Sequence, residues 1–184
     1  MAAFRMLLVL TVLTGILFPL SMVGVARLCF PAKAEGSLME RAGRVVGSAM
    51  IGRQFDDPKY FWPRPSATSP FPYNAASSSG SNLGPLNADL GAAMAARKIA
   101  LLRADPGNRA AIPIDLLTAS GSGLDPHISP DAAYYQAPRV ARIRGVPLVR
   151  LHALIANRTE GRQFSVLGEA RVNVAELNRL LDAQ

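Results

Sequence analysis

Three side chains that a hydrolase could use lie within one short loop of the sequence. Ser122 could act as a nucleophile, His127 as a base, and Asp125 as the carboxylate that orients the base. A catalytic triad needs its base between the nucleophile and the orienting group, and local sequence alone does not supply that geometry. The same loop fits a second interpretation, in which Asp125 and His127 together hold a turn. Hydrolysis is therefore the alternative function and not the leading one.

The sequence offers little else for metal or phosphate chemistry. His127 and His152 are the only histidines, and neither has metal-ligand spacing to the other or to a group of carboxylates. The sequence contains no P-loop of the form G-x-x-x-x-G-K-[ST] and no G-x-S-x-G elbow. It also lacks D-K-T-G, the phosphorylation sequence of P-type ATPases. We expect no metal site and no intrinsic cofactor.

The charge of the chain first suggests a nucleic-acid binder. The formal net charge is +7, the pI is about 10.3, and seventeen of the twenty basic residues are arginines. These residues are scattered, however, and the densest run, Arg139, Arg142 and Arg144, contains none of the aromatics that a stacking surface needs. We interpret this run as a solvated helix face and expect no nucleic-acid partner.

An uncharged segment near the N-terminus is long enough to span a bilayer. Residues 6–26, MLLVLTVLTGILFPLSMVGVA, lie between Arg5 and Arg27. At 1.5 Å per residue they extend roughly 31 Å, close to the hydrocarbon thickness of a membrane. The segment is longer than the apolar core of a cleaved signal, which has about 7–15 residues. We predict a transmembrane helix over residues 6–28 after a short cytoplasmic tail, residues 1–5.

The flanking charges leave the orientation of this helix open. Lysines and arginines are more numerous after the helix, which alone would place the C-terminal region inside. A short basic tail before a first helix instead favours an exported C-terminal domain. The alternative function above would then be that of a membrane-anchored periplasmic hydrolase.

The remaining 150 or so residues suit one domain, residues 35–184, with mixed helices and strands. We predict an α/β (α+β) fold. Its elements are a hairpin within residues 35–55, a helix at 87–103 capped by Asn87, a strand at 112–119, a helix capped by Ser129 that Pro138 breaks or kinks, a helix from Pro147, a strand at 164–172, and a last helix capped by Asn173 with Glu176.

Residues 56–85 are rich in proline, serine, glycine and asparagine and show no helical or strand period. Disordered linkers seldom contain many aromatic side chains, because their large apolar surface favours burial. This segment contains five, and we therefore predict a long ordered loop packed on the domain or on a partner. The five are Tyr60, Phe61, Trp62, Phe71 and Tyr73.

Four groups of residues behind the membrane helix form a specific ordered set. They are Tyr60-Phe61 with Arg64-Pro65-Ser66-Ala67; Tyr73-Asn74 with Gly80-Ser81-Asn82-Leu83; Ser120-Gly121-Ser122-Gly123-Leu124-Asp125-Pro126-His127-Ile128-Ser129-Pro130 with Gln136 and Arg139-Val140-Ala141; and Val172-Asn173-Val174 with Leu177-Asn178. In this order, over nearly the whole chain, they resemble the C subunit of the Kdp potassium-transporting ATPase (KdpC).

The resemblance implies a non-catalytic subunit of a potassium import complex in the bacterial inner membrane. Its partners would be a channel-like potassium-binding subunit, a P-type ATPase subunit, a small single-helix subunit and membrane lipid. The family is described as needed for assembly and as a catalytic chaperone that raises the ATP affinity of the ATPase subunit. ATP would then be bound jointly with that subunit, and Gln136 matches a glutamine proposed to contact nucleotide.

An exported domain would not meet cytosolic ATP, and it could instead cap the potassium entrance. The family motifs and the aromatic loop together supply our candidates for partner docking or loop structure. These are Tyr60, Phe61, Arg64, Tyr73, Asn74, Ser81, Asn82, Asp125 and His127.

Overall fold

The computed structural model describes residues 1–41 and 43–183. The chain divides into two compact units, Met1–Ser48 and Ala49–Gln184, and each is described by itself. The first unit contains the apolar helix and a hairpin. The second contains the mixed domain and the predicted loop.

The N-terminal helix runs without interruption from Ala2 to Cys29 and is long and apolar enough to cross a membrane. It consists of α1 (Ala2–Val12), a π-helical turn (Leu13–Leu17) and α2 (Phe18–Cys29). Pro19 lies inside this continuous helix, two residues after the π-helical turn, and proline is tolerated at such positions in membrane-spanning helices. The helix is confirmed, and it extends beyond the predicted residues 6–28 at both ends. Its residues are all solvent-accessible within this chain, as a bilayer-facing helix requires.

A short hairpin completes the first unit. After α3 (Pro31–Ala34), strand β1 (Leu38–Arg41) pairs antiparallel with β2 (Arg44–Ser48). The predicted hairpin is confirmed.

The second unit confirms the mixed class of fold. Its elements are α4 (Ala88–Ala104), a 3₁₀ turn (Ile114–Leu116), β3 (His127–Ile128), α5 (Pro130–Arg144), α6 (Leu148–Arg158), β4 (Thr159–Glu160), β5 (Arg171–Asn173) and α7 (Val174–Asp182). The strands form one antiparallel sheet in the order β3-β5-β4. Residues 49–87 contain neither helix nor strand.

Three helix starts follow from local side-chain chemistry. The Asn87 side chain accepts a hydrogen bond from the backbone N–H of Asp89, at 2.8 Å. Ser129 Oγ accepts from Ala132 N at 3.0 Å, and Asn173 Oδ1 accepts from Glu176 N at 3.1 Å. Each bond satisfies an N–H that the first turn of a helix leaves unpaired. All three predicted caps are confirmed.

The core of the second unit lies where α5, α6 and α7 pack around β5. Val172 on β5 is fully buried, as are Val140 of α5, Leu151 of α6 and Leu177 of α7. Phe61 joins this core from the long loop. The loop is therefore part of the packed domain.

Both strands predicted in this domain from apolar runs are wrong or displaced. Residues 112–119 contain the 3₁₀ turn, which Thr118 tightens by donating its hydroxyl proton to Ile114 O at 2.9 Å. Residues 164–172 are mostly a loop, because Phe164 and Ser165 adopt positive φ, and the strand begins only at Arg171.

Two predictions for α5 also need correction. The helix continues through Pro138, so the predicted break is absent, and the kink that was its alternative stays a prediction. Because Pro138 has no N–H, the carbonyl of Tyr134, four residues earlier, has no helical donor. Both residues lie on the exposed side of the helix, where water can donate to that carbonyl. The arginine run is not a solvated face: Arg139 is 2% exposed and the Arg144 side chain is mostly buried, whereas Arg142 is exposed.

Candidate functional site

Two side-chain amides from different helices hold consecutive residues of the loop. Asn178 Oδ1 accepts from Phe61 N and its Nδ2 donates to Phe61 O, both at 2.9 Å. Gln136 Oε1 accepts from Trp62 N at 2.8 Å, and its Nε2 donates to Trp62 O at 3.1 Å. The amides thus supply the bonds that a neighbouring strand would supply. We call these four residues the amide clamp.

Gln136 uses the whole bonding capacity of its amide. Its Nε2 also donates to Ala132 O at 3.2 Å, and its Oε1 also accepts from Arg139 Nη2 at 2.7 Å. A glutamine amide has two N–H donors and one oxygen with two lone pairs, so all four are engaged. Any ligand of this amide would have to replace one of these bonds. Nucleotide contact at Gln136 stays a prediction.

Arg139 lies over the Trp62 ring, beside the amide clamp. Its guanidinium carbon lies 4.7 Å from the ring centroid, and its Nη1 donates to Pro58 O at 2.6 Å. Burial lowers the pKa of Arg139 to about 10. The side chain therefore stays charged at neutral pH, with carbonyl oxygen, amide oxygen and the aromatic face satisfying it.

Tyr60 is fixed at the edge of the clamp by charged groups. Its hydroxyl donates to Asp182 Oδ2 at 3.1 Å, and Asp182 Oδ1 accepts from Arg144 Nη2 at 2.9 Å. The Arg144 guanidinium carbon lies 4.8 Å from the centroid of the Tyr60 ring. The C-terminal ends of α5 and α7 thus both hold the start of the loop.

A second group of predicted residues meets around Asp125. Asp125 Oδ2 accepts from Arg64 Nη1 at 3.2 Å, and Asp125 Oδ1 accepts from His127 N at 3.0 Å. The Tyr73 hydroxyl donates to the carbonyl of Arg64. Burial alone would raise the pKa of Asp125, but the hydrogen bonds from His127 and the charge of Arg64 outweigh it and lower that pKa. We call these four residues the Asp125 cluster.

The arrangement around Ser122 is not a catalytic triad. His127 Nδ1 lies 3.3 Å from Asp125 Oδ1, as the turn interpretation expects. Ser122 Oγ accepts from Leu124 N at 3.1 Å, and within the described part of the chain no hydrogen bond joins Ser122 to His127. The geometry does not favour the hydrolase.

Glycines allow the loop and residues 120–125 to approach each other closely. Ser79 N donates to Ser122 O at 3.0 Å, and Ser66 Oγ donates to Gly123 O at 2.7 Å. A Cβ atom on Gly123 would lie 2.5 Å from Ser79 O, and the φ of Gly123 is +69°. Only glycine fits this position without strain.

The other candidates lie further along the same loop. Asn74 N donates to Thr68 Oγ1 at 3.0 Å, and its side chain donates to Ser69 O at 2.9 Å. Ser81 and Asn82 are exposed, in neither the amide clamp nor the Asp125 cluster. We call residues 60–83 the docking segment, whose inner side these contacts fix while its outer residues remain exposed.

Several structural partners received no role from the sequence. The sequence places Arg139 in a predicted solvated face and in a family motif, Asn178 in another motif, and Trp62 among the aromatic residues of the loop. One signal was available for Arg139: three residues after Gln136 on a helix, it must lie on the same face. Asn178 gave no such signal, because its bonds are to a residue 117 positions away.

A pocket of about 270 Å³ lies beside the docking segment, with Trp62, Arg64 and Arg97 among its lining residues. Burial lowers the pKa of Arg97, whose Nη1 donates to Leu117 O at 2.6 Å. Among the described residues, no group of three or more histidine, cysteine, aspartate or glutamate side chains could hold a metal ion.

Comparisons with known proteins agree over nearly the full length. The family model described as "KdpC: K+-transporting ATPase, c chain" matches residues 1–183. A potassium-transporting ATPase KdpC subunit of Polaromonas naphthalenivorans is 60% identical, over 95% of this chain and 89% of the relative. The same subunit of Methylococcus capsulatus is 58% identical, over 98% and 95% of the two chains, and that of Sorangium cellulosum is 54% identical, also over 98% and 95%.

Proposed function

The chain belongs to the KdpC family of K⁺-transporting ATPase subunits, and from this membership we propose that it is a non-catalytic subunit whose C-terminal domain covers the potassium entrance. In this proposal the Ala2–Cys29 helix holds the subunit in the inner membrane. The domain stands outside the cytoplasm and docks on the channel-like subunit, and the complex also contains the P-type ATPase subunit and the small single-helix subunit.

The amide clamp is the observation that carries this proposal. Gln136 and Asn178 are each 1% exposed, and both are occupied in fixing the backbone of Phe61 and Trp62. A segment fixed on its inner side can present a preorganised outer surface, which reduces the entropy lost on docking. The fixed inner side of the docking segment therefore supports a role in binding a partner, and this role requires no catalytic residue in the segment.

The same bonds bear on the ATP affinity of the complex. A direct contact between Gln136 and nucleotide would break a bond to Trp62, Ala132 or Arg139. We therefore propose that any effect on ATP affinity arises indirectly, through assembly with the ATPase subunit. Gln136→Ala would then alter the KM for ATP only to the extent that it weakens assembly.

Assembly can be tested on the outer surface of the docking segment. Phe71 is exposed there, and Phe71→Glu should lower the recovery of the chain with an affinity-tagged channel-like subunit several-fold. Potassium import at low external potassium should fall in parallel, while circular dichroism stays unchanged. Val149→Glu, at an exposed apolar position on α6 outside the segment, is the matched control. Normal assembly and import with Phe71→Glu would refute docking through this surface.

Sidedness can be tested with the chain's single cysteine removed. In a Cys29→Ser background, Val149→Cys should react with a membrane-impermeant maleimide applied to intact spheroplasts, whereas Ala3→Cys should react only after lysis. The reverse pattern would place the domain in the cytoplasm. It would also reopen direct nucleotide contact at Gln136.

A further inference from the structure

A small hairpin between β4 and β5 turns its apolar side chains outward. Phe164, Val166 and Leu167 are 90%, 72% and 58% exposed. Single exposed apolar residues are ordinary on soluble proteins, but three large ones within four positions form a patch. We call residues 162–169 the apolar hairpin.

Backbone and charged groups give this hairpin a defined shape. Gln163 and Leu167 exchange two backbone hydrogen bonds, each 2.9 Å long. At its base, Arg162 Nη2 lies 2.7 and 2.6 Å from the two carboxylate oxygens of Glu169. The apolar side chains are therefore presented by a formed turn.

The tip of the hairpin has an unfavourable backbone conformation. Phe164 and Ser165 have φ values of 52° and 63°, in the left-handed region that asparagine and glycine adopt most easily. A bulky aromatic residue in that region is uncommon, and strained positions of this kind often mark contact sites. A feature that is both strained and exposed contributes little to the stability of the domain, and its side chains are available for contact outside it.

The size and chemistry of the patch favour a lipid surface. Three side chains fall far short of the roughly 1,000 Å² that a specific protein interface buries. The two charged side chains of residues 162–169, Arg162 and Glu169, pair with each other, so the hairpin offers no unpaired charge to a protein partner. A contact this small becomes effective when the protein is already tethered to the same surface, because the tether raises the effective concentration.

The tether is present in this chain as the Ala2–Cys29 helix. Arg162 and Arg171, at the base of the hairpin, are about half exposed and pair with Glu169 and Glu160, so the base is polar and the apolar side chains lie at the tip. We propose that the apolar hairpin inserts its tip into the interfacial region of the bilayer that the N-terminal helix spans. The hairpin then gives the C-terminal domain a second attachment to the membrane.

Fluorescence of a labelled hairpin tests this contact in the full chain. Val166→Cys in the Cys29→Ser background is labelled with an environment-sensitive nitrobenzoxadiazole probe and reconstituted into vesicles of phosphatidylcholine and phosphatidylglycerol. Val149→Cys, on α6 and 81% exposed, is the matched control. We expect blue-shifted emission at position 166 and several-fold stronger quenching by nitroxide-labelled lipids than at position 149.

Two outcomes would overturn the proposal. In one, both positions behave alike, and the tip then stays in water. In the other, the probe at 166 shifts only when the other pump subunits are added and is not quenched by lipid, which would assign the hairpin to a protein partner. The proposal does not depend on covering of the potassium entrance, which the Phe71→Glu experiment tests separately.

A second variant separates lipid contact from altered folding. Phe164→Asn suits the positive φ and removes the largest apolar group, so the turn is retained. Quenching at the position-166 probe should fall by half or more, with unchanged circular dichroism. Unchanged quenching would exclude Phe164 as the inserting residue and contradict the proposed mode of insertion.

Discussion

The amide clamp buries polar side chains in the core, whereas the apolar hairpin exposes apolar side chains to solvent. In the clamp, Gln136 and Asn178 lie in the core and Phe61 is buried beside them. In the hairpin, Phe164 lies almost wholly in solvent on a backbone that pairs with itself. In the clamp, the loop backbone has no regular secondary structure, but the N–H and C=O groups of Phe61 and Trp62 are all hydrogen-bonded. In the hairpin, the backbone pairs with itself, but the apolar side chains are exposed. The difference separates residues that hold the domain together from residues available to a surface outside it.

Removal of one phenyl ring from each region tests this separation most strongly. Phe61→Ala should lower the free energy of unfolding by about 3–5 kcal/mol, because it leaves a cavity in the core. Phe164→Ala should change it by less than about 0.5 kcal/mol. Urea unfolding of the full chain in detergent, followed by the fluorescence of the single tryptophan, Trp62, measures both. Equal losses would show that the hairpin packs on the domain.

Loss of a glutamine side-chain amide should also change the free energy of unfolding differently in the two regions. Gln136→Leu leaves the N–H and C=O of Trp62 without their partners and should cost about 2–3 kcal/mol. Gln163→Leu removes only an exposed side chain and should cost less than about 0.5 kcal/mol. The same unfolding measurement applies. A small loss for Gln136→Leu would mean that water replaces the clamp.

The backbone strain of the hairpin can be relieved without change to the clamp. Ser165→Gly should raise the free energy of unfolding by about 0.5–1 kcal/mol, because glycine adopts positive φ without steric cost. Ala153→Gly, on an exposed position of α6, should lower it by about 1 kcal/mol. Thermal unfolding followed by circular dichroism compares the two. A loss of stability in Ser165→Gly would show that the turn is not strained.

Asp125 of the Asp125 cluster and Glu169 of the apolar hairpin should differ in how their contributions to stability respond to acid, with the smallest effects expected here. The pKa of Asp125 is lowered in the folded state, so its contribution is present above the unfolded value of 3.8 and disappears as the pH falls through the folded pKa. Asp125→Asn should therefore reduce stability at pH 7 by less than about 1 kcal/mol and have little effect at pH 2. Glu169→Gln, on an exposed ion pair, should change stability by less than about 0.5 kcal/mol at pH 7. Denaturant titrations at both pH values measure this; an equal loss from Asp125→Asn at pH 2 would contradict the charge-based explanation.

The sequence predicts well where the cause is local. The caps at Asn87, Ser129 and Asn173 each involve residues two or three positions apart, and all three form. The tendency of aromatic residues to be buried predicts a loop packed on the domain or on a partner, and Phe61 of that loop lies in the core.

Prediction fails where distant residues determine the outcome. The apolar run at 164–172 resembles a strand, but positive φ at Phe164 and Ser165 turns the chain back before β5 begins. Arg139 resembles a surface residue until Trp62 and Pro58 are known to cover it. The partners of Gln136 and Asn178 come from a segment with no regular structure, so no helical or strand period could reveal them.

The amide clamp also has a consequence for the biosynthesis of the protein. Phe61 bonds to a residue 117 positions later in the chain, and Trp62 to one 74 positions later. Neither pairing can form until those residues have left the ribosome and, for an exported domain, crossed the membrane. During synthesis Phe61 and Trp62 therefore lack these partners until α5 and α7 have been made. Chaperones and proteases would encounter the unfinished subunit in this state, and α7 ends that state when it docks.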